Sequence, residues 1–295
     1  MESHKPITPV HTVMAVIDSH VEAASDDLVP YRLNLYRAEG VHAAATWAGP
    51  WSLEDARRVI KAQVASLACA IDGDTPWVVT NIQYAPHTDV FDLIPDALGT
   101  DETIVQRLRQ VVDRIESRPL FVLLSDAFTL RTVFHFFWTC PASRAHHHAW
   151  RGGLASHSIE MAEWVAETPG LSPTDRDIGV AYALLHDLGK LWCYDEAEGE
   201  RWERLGHELI GLAKLGDALN ALDTAWPDGA IAMHSLLSGL WKTKGHKPLL
   251  AVGKLVQAYD QTSAEADLRG REGHRHQAWV PTPYGDNVRV FPVRA

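Results

Sequence analysis

One short run of the sequence holds residue types that could bind a metal ion. His186 and Asp187 stand side by side, and Leu188, Gly189 and Lys190 follow them. Adjacent residues on a helix point about 100° apart, so both side chains reach one ion only where the helix ends. Gly189 is placed to end it. Lys190 adds a cation where a phosphate oxygen could use one, so the run predicts a metal site beside a phosphate.

Apolar residues flank Asp187 on both sides, from Ala183 to Leu185 and again at Leu188. A carboxylate buried there without a partner would be strongly destabilising. A bound metal ion removes that difficulty. Asp187 is therefore predicted to be a ligand.

Other ligands must come from other parts of the chain. Candidates occur on further predicted helices: His157, His207, His234 and Asp260. A single histidine on a mostly apolar helix is more often a core or surface residue than a ligand, so each candidate depends on its position relative to the His186-Asp187 pair.

The cysteines indicate neither a disulfide framework nor a thiolate zinc site, because Cys69, Cys140 and Cys193 are odd in number and far apart. Imidazole with carboxylate suits iron, manganese, cobalt, nickel or zinc. The absence of cysteine ligands favours a catalytic site over a structural one.

The elements that would position these residues are helical. From residue 101 the apolar residues recur at helical spacing, and the chain to about residue 266 is predicted to be mostly α-helix. The segment Ser172-Pro173-Thr174-Asp175 has the composition of a helix start, with a capping serine and a proline at the first helical position.

Residues 10–85 have a different pattern. Short runs of alternating apolar and polar residues are separated by turns such as Asp72-Gly73-Asp74. Five strand-like segments in so short a stretch predict a small barrel of the OB-fold kind. The fold class is thus predicted to be α+β and multidomain, with an N-terminal OB-fold-like β-barrel ahead of an all-α domain. The predicted boundaries are 1–90 for the barrel, 91–140 for a helical linker, 141–268 for the metal-binding domain and 269–295 for a tail.

The barrel contains aromatic residues that could stack on unpaired bases. Trp47 and Trp51 occupy a loop-like stretch and are the better candidates, although aromatic residues of small barrels more often belong to the core. The net charge of -11 argues against tight non-specific binding of duplex DNA. The sequence lacks an apolar run long enough to span a bilayer and an N-terminal signal core, so a cytoplasmic protein without membrane contact is expected. Homo-oligomerisation stays open.

The order of the acidic and histidine residues resembles that of a known superfamily. Along the chain His157 comes first, then His186 and Asp187, then Asp260. This order is similar to the H…HD…D signature of the HD superfamily of metal-dependent phosphohydrolases. Residues 141–157, with His146, His147 and His148 ahead of Gly152-Gly153, resemble the start of the HD domain in YhaM-type exoribonucleases, which also carry an OB-fold ahead of it. The similarity is strongest over residues 141–190.

This resemblance implies an exonuclease that shortens single-stranded RNA or DNA from the 3′ end. It implies one or two divalent ions, manganese first, with iron, nickel, cobalt, magnesium or zinc as alternatives. The implied ligands are His157, His186, Asp187, His207, His234 and Asp260, with Asp187 as the bridge. Lys190 would stabilise the phosphoryl oxygens, and His147 and Arg151 would contact the substrate. Ser235 departs from the paired histidines that the family tends to have at this point, which puts a second ion in doubt.

Three alternatives stay open. The histidine run also resembles the three-histidine motif of HD-type relaxases of conjugative elements, the MobH class. An HD phosphohydrolase of small nucleotides and a degenerate HD module that only binds nucleic acid would fit as well. The run of histidines could also be a solvated surface patch.

Overall fold

The computed structural model of the protein describes residues 10–20, 31–46, 57–67, 77–101, 103–144, 147–194, 204–243, 245–273, 279–281 and 287–289. The chain divides into two compact units. Unit 1 comprises Met1–Gln110 and Leu124–Phe136, and unit 2 comprises Val111–Leu123 and Phe137–Ala295.

Unit 1 is built on a closed five-strand barrel. Its strands are β1 (Val10–His20), β2 (Tyr31–Arg37), β3 (Gly40–Thr46), β4 (Ile60–Leu67) and β5 (Trp77–Tyr84). They follow the order β1-β2-β3-β5-β4, and β4 pairs with β1 to close the ring. All neighbours are antiparallel except β3 and β5, which are parallel. The predicted α+β class with an OB-like barrel ahead of helices is confirmed.

Period-two alternation builds the barrel core. On β2, Leu33 and Leu35 are buried in the core, while Asn34 between them is only half-buried. The other strands contribute further buried residues to the same cluster: Ala15, Ile17, Ala44, Ala62, Val64 and Val79. This alternation is the signal that predicted the barrel.

Helices follow the barrel within residues 91–140, the predicted linker. They are α1 (Ile104–Val112), α2 (Arg118–Phe128) and α3 (Arg131–Phe136). The boundary between the two units falls inside α2, so this stretch divides between them. In unit 1 the buried Lys61 of β4 donates to Ser125 Oγ at 3.2 Å, and Arg58 donates to the Asp126 carbonyl at 3.0 Å.

A buried carboxylate joins α3 to the barrel. Asp18 on β1 is 3% exposed, and its two oxygens lie 2.7 Å from an Arg131 nitrogen and 2.8 Å from His135 Nε2. Burial, with the nearby Asp18 charge, raises the pKa of Tyr36. The cluster supplies partners for a charge that would otherwise oppose folding.

Unit 2 is helical. Its main helices are α4 (Gly153–Glu167), α5 (Pro173–Leu185), α6 (Lys190–Cys193), α7 (His207–Lys214), α8 (Gly216–Ala225), α9 (Pro227–Leu237) and α10 (Val252–Gly273). Helices α4 and α5 pack together, and α10 packs against both. The predicted helix start is confirmed, since Ser172 caps α5 by accepting from the Asp175 backbone N–H at 3.0 Å.

Helix α5 ends at Leu185, directly ahead of His186 and Asp187. The carbonyl of Leu185 accepts from Leu188, and that of Asp187 accepts from Lys190, which are the tight bonds of a turn rather than of an α-helix. His186 and Asp187 therefore lie in the turn between α5 and α6.

The described tail contains the short antiparallel strands β6 (Trp279–Pro281) and β7 (Asn287–Arg289). Among the described residues, no helix is both long and apolar enough to cross a bilayer.

Candidate metal centre

Three side chains of unit 2 form a group that could hold a metal ion. His157 comes from α4, His186 from the turn after α5, and Asp260 from α10. One ligand atom from each lies within 4.8 Å of the others. Both histidines are buried and Asp260 is half-buried. Residues more than 100 positions apart in the sequence thus meet where a single cation could contact all three.

Two glycines allow α4 to start directly behind the histidine run. Gly152 has a φ of +89°, in the left-handed region that favours glycine. A Cβ on Gly153 would lie 1.9 Å from the carbonyl oxygen of His148. Only glycine fits so close to that backbone, and His157 follows one helical turn later.

Gly189 has a different role from the predicted one. Its φ of -59° is ordinary, so it does not end a helix through a left-handed conformation. Instead, a Cβ on Gly189 would lie 1.8 Å from the carbonyl oxygen of His207. The glycine lets α7 approach the turn, and His207 Nε2 reaches 3.1 Å from Asp187 Oδ1.

The imidazole of His186 presents a bare nitrogen to the site. Its Nδ1 lies 2.8 Å from the carbonyl oxygen of Ala183 and must donate to it, because a carbonyl only accepts. In the neutral ring, Nε2 then carries a lone pair. This Nε2 is buried without a hydrogen-bond partner, 3.3 Å from Asp187 Oδ2.

His157 repeats this arrangement. Its Nδ1 lies 3.0 Å from the Ser263 hydroxyl, and its Nε2 lies 3.2 Å from Asp260 Oδ1 without forming a hydrogen bond. A nitrogen lone pair and a carboxylate oxygen repel each other at this distance unless a cation lies between them. A proton or a metal ion can fill that role.

The donor set fits a divalent transition metal. Two imidazole nitrogens and a carboxylate are borderline ligands suited to such ions. An ion about 2.1 Å from each donor needs donors roughly 3 to 4 Å apart. The separation of His157 Nε2 from Asp260, and the two buried nitrogens without partners, agree with that requirement. Burial alone would raise the pKa of Asp260, but His157 and His186 lower it to about 2.

Asp187 lies beside this group in a cationic environment. Lys190 Nζ is 2.5 Å from its Oδ2, and His157 Nε2 is 4.0 Å from the same oxygen. Although burial opposes ionisation, His186 and Lys190 hold the pKa of Asp187 well below its usual range. Burial also opposes the charge of Lys190, but the Asp187 carboxylate raises the pKa of that ammonium. The predicted catalytic lysine is thus ion-paired with the predicted bridging ligand.

The histidine run lies against α4. The ring centroids of His147 and His157 are 5.5 Å apart. Burial, followed by the neighbouring His157, lowers the pKa of His147 to about 4. His147, predicted to contact the substrate, therefore lies next to the group as a neutral imidazole at pH 7, while His146 lies outside the described residues.

The other predicted site residues are not brought into this group. His234 is exposed on α9, and within the described chain its side chain makes no hydrogen bond or ion pair with the group. Arg151 is exposed in the turn ahead of α4. Trp47 and Trp51 lie outside the described residues.

A polar network lies behind the group, and three of its members, Ser263, Glu160 and Asp267, were not singled out by the sequence. Ser263 contacts His157 Nδ1, and Glu160, His148 and Asp267 extend the same network. Ser263 follows Asp260 by three residues and Glu160 follows His157 by three, which places each on the same helix face as a predicted ligand. That spacing was the available signal.

No protein-family model matches the chain, and no solved structure matches it. The protein combines a closed five-strand barrel with a helical unit in which His157, His186 and Asp260 form a group able to hold a metal ion.

Proposed function

We propose that the protein is a divalent-metal-dependent phosphodiesterase that shortens single-stranded RNA or DNA from the 3′ end. The observation that carries the proposal is the pair of buried Nε2 atoms, of His157 and His186, which face carboxylates without hydrogen-bond partners. The residues that provide this arrangement follow the order of the H…HD…D signature. Asp187 and His207 are the proposed further ligands, and manganese is the proposed ion.

A bound divalent ion would lower the pKa of a water molecule and neutralise charge on the phosphate. The chain supplies the setting for that chemistry. The carbonyl of Ala183 fixes the orientation of the His186 ring. The low pKa of Asp187 keeps this carboxylate ionised at neutral pH, so it can bind a cation or accept a proton. Lys190 adds a positive charge beside it, suited to the negative charge that develops on a phosphoryl oxygen.

His147 is the proposed substrate contact in the histidine run. With its pKa lowered to about 4, the ring is neutral at pH 7 and offers one donor and one acceptor. Its Nδ1 is buried without a hydrogen-bond partner. A neutral imidazole of this kind could hydrogen-bond a phosphate ester or its leaving group.

The decisive experiment uses end-labelled substrates. The full-length protein is incubated with Mn²⁺ and 5′-labelled single-stranded RNA or DNA, and the products are resolved by length. Progressive shortening from the 3′ end is expected. Asp187→Asn should abolish it, whereas Asp223→Asn, at an exposed position on α8, should not.

Two results would overturn the proposal. Turnover of free nucleotides alone would replace it with a small-nucleotide phosphohydrolase. No bound metal and no turnover with manganese, iron, nickel, cobalt, magnesium or zinc would exclude the enzymatic reading altogether.

The proposed role of the barrel is to hold the strand by stacking bases on Trp47 and Trp51. Replacing both by alanine should weaken single-strand binding by about 1 to 3 kcal/mol per stacked base. Hydrolysis of bis(4-nitrophenyl) phosphate, which has no bases, should stay at the wild-type rate. An unchanged affinity for single strands would show that Trp47 and Trp51 do not bind the strand.

A further inference from the structure

Ser263 on α10 is a buried hydroxyl with three polar neighbours. It is 1% exposed. Its Oγ lies 3.0 Å from His157 Nδ1, 3.0 Å from His148 Nε2 and 2.7 Å from Glu160 Oε2. One hydroxyl therefore joins two histidines and a carboxylate directly behind the candidate metal centre.

The protons in this network can be assigned by counting. A hydroxyl has one proton and two lone pairs, and a carboxylate only accepts. The Ser263 proton therefore goes to Glu160, and Oγ accepts from both rings. It follows that His157 carries its proton on Nδ1 and His148 carries its proton on Nε2.

We propose that Ser263, oriented by Glu160, is a positioning residue that fixes the tautomer and the ring orientation of His157. The inference rests on the proposed metal-dependent function, because it explains why Nε2 of His157 is left free to bind an ion. Asp260 precedes Ser263 by three residues on the same helix. One face of α10 therefore engages both nitrogens of the ring, Nδ1 through Ser263 and Nε2 through Asp260.

Glu160 gives the network an electrostatic effect as well as a steric one. Through the Ser263 hydroxyl its negative charge favours electron density on the imidazole, which makes Nε2 a stronger ligand. Loss of an outer partner of this type typically lowers metal affinity by about 10- to 100-fold. Glu160 is on α4, three residues after His157. The hydrogen bonds from Glu160 through Ser263 to His157 therefore begin and end on the same helix.

His148 is fixed by the same hydroxyl. Its φ of +45° is uncommon for a residue with a side chain. Asp267 Oδ2 accepts from its backbone N–H at 2.7 Å, and Ser263 accepts from its Nε2. The side chain of His148 is thus occupied by its hydrogen bond to Ser263. His147 is the other described histidine of the run, and it is the one proposed to contact a substrate.

The test measures metal affinity and ring tautomer separately from turnover. Mn²⁺ binding is titrated by calorimetry for wild type, Ser263→Ala, Glu160→Gln and the control Thr262→Ala, an exposed neighbour on α10. Ser263→Ala should bind Mn²⁺ about 10- to 100-fold more weakly, whereas Thr262→Ala should match wild type. Glu160→Gln, which keeps the size of the side chain but not its charge, should show a smaller loss in the same direction.

Long-range ¹H–¹⁵N spectra of the metal-free protein at alkaline pH give the second readout. The His157 signals, assigned by their loss in His157→Gln, should show a proton on Nδ1 in wild type and a mixture of tautomers in Ser263→Ala. A proton on Nε2 in wild type would overturn the inference. So would wild-type Mn²⁺ affinity in both Ser263→Ala and Glu160→Gln.

The two proposals can fail separately. If wild type binds no metal, the proposed function fails, and the tautomer of His157 still decides whether Ser263 positions the ring. If Mn²⁺ binding and turnover survive the loss of Ser263 with an unchanged tautomer, only the role of Ser263 is lost.

Discussion

Asp187 combines deep burial with several positively charged or hydrogen-bonding neighbours. Lys190 lies 2.5 Å from one of its oxygens and His207 lies 3.1 Å from the other. A buried carboxylate stabilises the fold only while such partners are present, because breaking a buried ion pair leaves an uncompensated charge. In the metal-free protein, the ammonium of Lys190 therefore neutralises much of the negative charge of Asp187.

Replacing Lys190 should show how much its charge stabilises the metal-free protein. Lys190→Met keeps the length of the side chain but removes its charge, so the metal-free variant should lose about 3 kcal/mol of unfolding free energy. Mn²⁺ should raise the Tm of the variant more than that of wild type, because the ion restores positive charge beside Asp187. Thermal unfolding with and without Mn²⁺ measures both effects.

The matched control is Lys247→Met, an exposed position in the same unit. It should leave the Tm unchanged. A metal-free Lys190→Met protein as stable as wild type would contradict the ion-pair interpretation.

Between elements, the approach of α7 to the turn after α5 depends on Gly189. The Cβ of any other residue would meet the backbone of His207 at 1.8 Å and the Gly211 nitrogen at 2.7 Å. Backbone atoms cannot rotate away as a flexible side chain can. The glycine therefore sets the distance between Asp187 and His207.

Gly189→Ala should push α7 away from the turn. We expect a loss of about 1 to 3 kcal/mol in unfolding free energy, as for other overpacked sites, together with weaker Mn²⁺ binding. Urea unfolding and calorimetric titration measure these effects. Gly216→Ala is the control, since a Cβ on this α8 glycine meets no atom within 4 Å. If Gly189→Ala and Gly216→Ala had the same unfolding free energy and the same Mn²⁺ affinity, the close approach of α7 to Gly189 would not determine either quantity.

A second contact between elements joins α5 to the start of α2 within unit 2. Asp177 Oδ2 accepts from the backbone N–H groups of Glu116 and Ser117, at 3.0 and 2.7 Å. These two residues directly precede α2, so the carboxylate satisfies donors at a helix start. Burial nevertheless outweighs these bonds and raises the pKa of Asp177.

This shift predicts the sign of a pH dependence. A folded-state pKa above the unfolded value of about 4 means that the folded protein holds the proton more tightly. The resulting stabilisation is complete below that pH and is lost as the pH rises through the folded-state pKa. Relative to Asp177→Asn, wild type should therefore lose stability as the pH rises from about 4 through the folded-state pKa of Asp177. Urea unfolding at several pH values measures the difference, and a constant difference would contradict the predicted shift.

At the scale of the whole molecule, the two units have separate polar clusters. The Asp18 cluster belongs to unit 1, whereas the candidate metal centre belongs to unit 2. A substitution in the Asp18 cluster should therefore lower the free energy of unfolding and leave the Mn²⁺ affinity unchanged.

Asp18→Ala should lower the unfolding free energy by about 3 kcal/mol, because Arg131 and His135 lose their buried partner. The Mn²⁺ affinity of the folded variant should equal that of wild type. Asp92→Ala, an exposed change in the same unit, should alter neither quantity. Urea unfolding and Mn²⁺ titration of the same samples provide the check, and a Mn²⁺ affinity that falls with Asp18→Ala would contradict the separation.

The sequence predicted the barrel and the position of His186 in the candidate metal centre because both signals are local. Alternation on β2 follows from the pleat of a single strand, and the His186-Asp187 pair needs only a turn to bring it out of a helix. The start of α5 at Ser172 follows from capping chemistry within four residues.

Tertiary structure decided which histidines meet. His157 and His234 looked alike as single histidines on helices, yet the first is buried in the group and the second is exposed. The difference depends on which face of each helix is covered by another, and residues far away in the chain determine that. The same reason applies to Gly189, where the neighbour that demands a glycine is His207.

The His186-Asp187 pair shows this division most clearly. By itself the sequence predicted a candidate metal site at these residues, because residue type and a nearby helix end are sufficient for that prediction. Only the tertiary structure brought Asp260 of α10 to the same site and placed Ser263 behind His157. Helices α4 and α10 are about 100 residues apart in the chain, and their registry is set by packing rather than by any local pattern.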